Sequence, residues 1–244
     1  MIIHEEKCVG CGRCIPYCPT AAIRYAGLHC VIDQDVCYEC STCLRAAHCP
    51  VDAIAESLNV YDYPRDLRRH FSDPSSTHAA TGIQGRGTEE SKTNDVTLRV
   101  GPGEVGVAIE TGRPTLGMSI LDIQKITRAI ARAGVHKIEE HNPIRSMIAN
   151  EATGDLKPEM LGERILSAII EMKVKRNELG GILRTLREVA KDVDSVFCID
   201  VFTIVEPGLT IPEEILESIQ SEGFNWRPNA KINMGMGRAW ESRG

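Results

Sequence analysis

The stretch Cys8-Val9-Gly10-Cys11-Gly12-Arg13-Cys14-Ile15-Pro16-Tyr17-Cys18-Pro19 is nearly repeated at Cys37-Tyr38-Glu39-Cys40-Ser41-Thr42-Cys43, which closes at Cys49-Pro50. Three cysteines at intervals of three set their thiolates around one small concave loop, which suits three corners of an Fe4S4 cube. The remote cysteine before proline supplies a corner elsewhere. The echo extends past the thiols, because Cys18-Pro19-Thr20-Ala21-Ala22-Ile23 is matched by Cys49-Pro50-Val51-Asp52-Ala53-Ile54. Two similar half-units related by a local pseudo-two-fold axis are expected.

In the bacterial pattern the fourth cysteine of each motif ligates the other cluster. That assignment gives one cluster Cys8, Cys11, Cys14 and Cys49, and the other Cys37, Cys40, Cys43 and Cys18. On these motifs, residues 1–58 resemble the bacterial two-[4Fe-4S] ferredoxins. The resemblance implies a small α+β module with two [4Fe-4S] clusters between short hairpins and short helices. Two departures stand out. Five residues, Leu44 to His48, separate the last two cysteines of the second motif, where the first has three, and Ser41 replaces the Gly12 of the first. Extended second motifs occur in some members, so two cubane clusters remain the expectation, with the surroundings of Cys49 reshaped. Zinc also accepts paired Cys-x2-Cys segments, yet it leaves the triple-cysteine runs and the two Cys-Pro steps unexplained. Disulfides do not suit ten cysteines without a secretory signal. Cys30 and Cys198 lie in apolar stretches outside the motifs and read as buried small hydrophobes, although a cluster missing one ligand could recruit Cys30.

The chain has 244 residues, 42% of them hydrophobic, and a formal charge of −6. Room for two or three domains follows. Residues 1–60 hold four Lys/Arg against seven Asp/Glu, a balance of −3. Such an acidic module steers toward basic docking surfaces and away from nucleic acid. Met1-Ile2-Ile3 runs at once into His4-Glu5-Glu6, unlike a signal peptide. Ile165 to Val174 is broken by Ser167, Glu171 and Lys173 and is too short to span a bilayer. A cytoplasmic, anaerobic setting is expected.

Beyond the motifs the composition shifts. Residues 59–95 are rich in Pro, Ser, Gly and Thr and read as a connector. Within it, Asp66-Leu67-Arg68-Arg69-His70-Phe71 fits a helical turn with a basic face, read as a solvated linker ahead of a docking patch. Arg86 and Lys92, beside Gly85 and Gly87, are candidate anion contacts.

Periodicity returns at Val96. Strands are expected at Val96–Val100, Glu104–Ile109 and Val135–Glu140, with a helix over Ser119–Ala133. Leu166 to Val174 alternates as a strand, although a helix fits nearly as well. A helix over Ile182–Lys191, a strand over Ser195–Val205, a helix over Glu213–Ser221 and a strand over Trp226–Met234 complete the pattern. This order resembles the ligand-binding ACT domains, over about residues 163–238. The expected architecture is therefore α+β: a dicluster module at 1–58, a linker at 59–95, an α+β region at 96–160 as a candidate degenerate repeat, and an ACT-like sandwich at 161–244. Thr111-Gly112-Arg113-Pro114-Thr115-Leu116-Gly117, after a strand and before a helix, makes Arg113 the leading anion contact. Glu139-Glu140-His141 reads as a polar rim.

The functional expectation is one-electron transfer to a partner oxidoreductase, with the C-terminal region used for docking, homo- or hetero-oligomerisation or ligand sensing. A reductive or sulfur-transfer enzyme component holding a small anionic substrate, and a redox-sensing regulator, are the alternatives from other classes. No catalytic residue is indicated.

Overall fold

The computed structural model describes residues 1–77, 82, 99–112, 116–135, 137–140, 142–208 and 210–226. In the first quarter, strand β1 (Ile2–Ile3) pairs antiparallel with β4 (Ile54–Ala55), and β2 (Ile23–Ala26) pairs antiparallel with β3 (His29–Ile32). The β2–β3 turn is two residues long with Gly27 at φ +64°, the conformation a tight hairpin asks of its first residue. Each cysteine motif lies between one strand of one pair and one strand of the other, as two half-units require. The longer spacing after Cys43 takes physical form as helix α1 (Thr42–Ala46), where the first motif has a single 3-10 turn at Ile15–Tyr17.

Residues 66–72, inside the expected connector, form helix α2 (Asp66–Ser72). A solvated face is not what this helix presents. Leu67 and Phe71, one turn apart, are buried in the core of the C-terminal region. Each such burial is worth about 1.5–3 kcal/mol. The arginines of the same segment point the other way, into the cysteine module.

The C-terminal region is built on a three-stranded antiparallel sheet, in which β5 (Glu104–Thr111) lies between β10 (Ala168–Lys175) and β11 (Phe197–Phe202). Short pairs precede β10: β6 (Met118–Ser119) with β9 (Arg164–Ile165), and β7 (Ile148–Asn150) with β8 (Asp155–Leu156). Val105, Val107 and Ile109 of β5 and Ile170 and Met172 of β10 share one core with helices α3 (Ile120–Arg132), α4 (Leu179–Val189) and α5 (Glu213–Ser221). Ser119 caps α3 by accepting from the Asp122 amide at 3.0 Å.

Several expectations change here. The central strand comes from the stretch read as a degenerate repeat, so residues on both sides of position 160 share one sheet and one core. Val135 and residues 137–140 form no strand, because the chain turns at Gly134, φ +93°, into a 3-10 segment at Pro143–Met147. The ambiguous run at 166–174 is strand from Ala168 onward. Cys198 is exposed rather than buried, since it alternates with Phe197 and Ile199, which pack against the core. The strands read at 96–100 and 226–234 fall largely outside the described residues.

Candidate iron–sulfur sites

The two loops reach the same backbone shape by different residues. Gly10 and Gly12 have φ +63° and +70°, and their counterparts Glu39 and Ser41 have +55° and +56°. Ala21 and Asp52, each three residues after a Cys-Pro cysteine, match at +54° and +46°. In the first loop glycine is sterically required. A Cβ on Gly10 would lie 2.1 Å from the Leu28 carbonyl oxygen, and one on Gly12 would lie 2.0 Å from the Tyr25 hydroxyl. In the second loop, side chains accept a left-handed conformation that ordinarily costs about 1–2 kcal/mol. Glu39, fully buried, turns its carboxylate to the Met1 amino group and to Arg65, whose Nε donates at 3.0 Å. The Ser41 departure thus leaves the loop shape intact.

These backbones gather the thiols into two groups. One hollow, about 330 Å³ counted out to open solvent, is lined by Cys8, Cys11, Cys14 and Cys49, with Cys30 beside them. The other, about 290 Å³, is lined by Cys18, Cys37, Cys40 and Cys43. Amides aim at the sulfurs in equivalent places: Ala22 donates to Cys18 Sγ at 3.2 Å and Ala53 to Cys49 Sγ at 3.3 Å. Cys30 donates its amide to Cys8 Sγ at 3.4 Å. Such bonds favour thiolate and tune the potential of whatever it ligates.

Electrostatics fit a cationic occupant. Burial pushes the Cys14 thiol up to about 12, with Cys30 the next largest influence. Burial likewise pushes Cys43 up to about 12, and repulsion from Cys40, Cys37 and Cys18 adds to it. Cys37 is raised for the same first reason. Thiols so placed become ligands only when bound metal compensates the buried negative charge. In each group four motif cysteines stand around a hollow, an arrangement that suits a multinuclear cluster.

The two groups differ in cover. Cys11 is exposed and Cys8 and Cys49 are part-exposed, with Val9, Leu28 and Val51 at the surface nearby. In the second group Cys37, Cys40 and Cys43 are buried and only Cys18 is part-exposed, whereas among the four motif cysteines of the first only Cys14 is buried. Tyr38 and Cys40 pack on Leu166 of the C-terminal region, and the Tyr38 ring lies where a Cβ on Gly117 would be, 2.0 Å from it. Around that contact runs a seam of arginines. Arg68 donates to the carbonyl oxygens of Gln34 at 2.9 Å, Asp35 at 3.2 Å and Cys37 at 2.8 Å, and pairs with Glu163. Arg45 donates to the Cys40 carbonyl at 2.9 Å and to Asp73 at 2.8 Å. Burial opposes the Asp73 charge, but donation from Ser75 and Ser41 and the Arg45 charge outweigh it and hold the carboxyl below its usual range.

The expected anion contacts fare differently. Arg86, Lys92 and Arg113 lie outside the described residues, as does His141. Among the described residues on either side of 113–115, Leu116 and Gly117 both donate to the Gly112 carbonyl at 3.0 Å, and Gly117 meets Tyr38. Sequence reasoning missed Arg68 and Tyr38, while Cys30, read as buried and open to recruitment, lies at the first hollow. The pair Leu67 and Phe71, spaced one helical turn apart beside Arg68, was the available signal for that arginine.

A family model described as a 4Fe-4S binding domain matches residues 1–24. An uncharacterized ferredoxin of Methanocaldococcus jannaschii is 36% identical over 58 residues, covering 22% of this chain and 73% of that protein. A ferredoxin-like protein in the vnf region of Azotobacter vinelandii is 38% identical over 64 residues, covering 24% of this chain and 95% of that protein. Pyruvate synthase subunit PorD of Methanocaldococcus jannaschii is 39% identical over 56 residues, covering 22% of this chain and 63% of that protein.

Proposed function

We infer, from the premise that this chain belongs to the ferredoxin family through its N-terminal 4Fe-4S binding domain, that it carries two [4Fe-4S] clusters and relays single electrons to a partner oxidoreductase. The observation that carries the reading is the pair of hollows, each lined by four motif cysteines drawn crosswise from both motifs. In it, Cys8, Cys11, Cys14 and Cys49 hold the first cluster and Cys37, Cys40, Cys43 and Cys18 the second. A [4Fe-4S] cluster supplies reversible uptake of one electron, at a potential set by charge, sulfur hydrogen bonds and exposure.

The chain's own residues set those conditions. The amides of Ala22, Ala53 and Cys30 donate to sulfur, Tyr38 and Leu166 pack on Cys40 of the second site, and the first keeps Cys11 at the surface. Electrons therefore pass to and from the partner at the first site, and the second is the protected one. The C-terminal α+β unit, whose sheet joins residues on both sides of position 160, covers the second site and leaves its remaining surface for docking or assembly. Similarity to a pyruvate synthase subunit supports a place in a larger oxidoreductase complex. Among the described residues no helix is long and apolar enough to cross a membrane.

Anaerobic reductive titration, followed by electron paramagnetic resonance, tests this. Reversible uptake of about two electrons per chain is expected, one for each cube. Uptake of a single electron, or none, contradicts it.

A further inference from the structure

The first hollow holds more sulfur than a cube uses. Five cysteines line it, Cys8, Cys11, Cys14, Cys30 and Cys49, whereas four line the second. Cys30 sits on β3, outside either motif, and is 1% exposed. It does more than fill space there. It is buried in one cluster with Cys14, its amide donates to Cys8 Sγ at 3.4 Å, and it lines the hollow together with the four motif cysteines. The strand fixes it in place, since Cys30 is in register with Tyr25, whose hydroxyl closes over Gly12.

We propose that Cys30 is a reserve ligand of the first site, able to take the iron of Cys14 or Cys11 when either sulfur is lost. This rests on the two-cluster reading above and adds a fifth ligand to it. In the exchange the Cys30 S–H bond breaks and its proton goes to solvent. The iron–sulfur bond to Cys11 or Cys14 breaks, that sulfur leaves as thiolate and takes a proton from solvent, and a Cys30 sulfur–iron bond forms in its place, with no electron moved. The site most in need of such a device is the one with an exposed cysteine, because thiolate character and exposure govern oxidation. Cys11 is that cysteine.

The test compares iron and acid-labile sulfide in the anaerobically purified full chain carrying Cys14→Ala or Cys11→Ala, each with and without Cys30→Ala. Wild type, the Cys30→Ala variant and both other single variants are expected to hold about eight irons, and both double variants to lose between about one and four. The single variants should also show a shifted resonance spectrum for one cluster, since one ligand has changed position. Cys11→Ala, at an exposed position, keeps the comparison available if Cys14→Ala fails to fold. Equal iron loss in single and double variants, with wild type at about eight, overturns this inference alone. A wild type holding only about four irons overturns the two-cluster reading and the inference with it.

Discussion

Cys18→Ala, a change in the first motif, is expected to empty the second site and leave the first filled. About four of about eight irons should remain. The reason is geometric: Cys18 lines the hollow of Cys37, Cys40 and Cys43, and no fifth cysteine lines that hollow to replace it. Repulsion from Cys18 also bears on the Cys43 thiol, which requires the two sulfurs to share one neighbourhood. The crossing itself is read by adding Cys43→Ala. If both cysteines belong to one site, the second change costs no further iron, the non-additivity expected of residues that act as a unit. Under uncrossed pairing the same double variant would lose both clusters, and iron would fall to nearly zero.

Arg68→Ala is expected to destabilise the protein by roughly 3–5 kcal/mol, the range for breaking a buried ion pair by removing one partner. Arg68 is 5% exposed, so its removal strands the Glu163 carboxylate and the carbonyl oxygens of Gln34, Asp35 and Cys37 in a closed seam. A change of that size lowers an apparent Tm by about 6–20 °C in a chain of this length. The measurement is thermal unfolding under anaerobic conditions at one scan rate. Lys191→Ala, which removes an exposed partner of Glu188, should move stability by no more than about 0.5 kcal/mol. A shift for Arg68→Ala as small as the Lys191 control would mean that the seam does not hold the two parts together.

The cysteine spacing made the first quarter legible because ligand geometry leaves few ways to arrange thiols around a cube. Even the Ser41 departure was interpretable, as a residue made to adopt φ +56° where Gly12 adopts +70°. Helices α3 and α5 were legible from the apolar stripe of Ile120, Ile123, Ile126 and Ile130 and from Pro212 before Glu213. The sheet order was not. Nothing local tells β5 that it will lie between two strands from later in the chain, since each pairing depends on partners about 60 to 90 residues away. Helix α2 was legible as a helical turn but its burial was obscured by composition: its arginines look solvated until carbonyls of the cysteine module are placed around them. The burial of Cys30 was legible and which hollow it faces was not, because an apolar strand sequence shows burial and not what the burial faces.

Iron, acid-labile sulfide and zinc determined together on anaerobically purified wild-type protein bear most directly on the central claim. Two [4Fe-4S] clusters predict about eight irons and about eight sulfides per chain, with zinc at trace level. Stoichiometric zinc without sulfide, or about four irons, would contradict it.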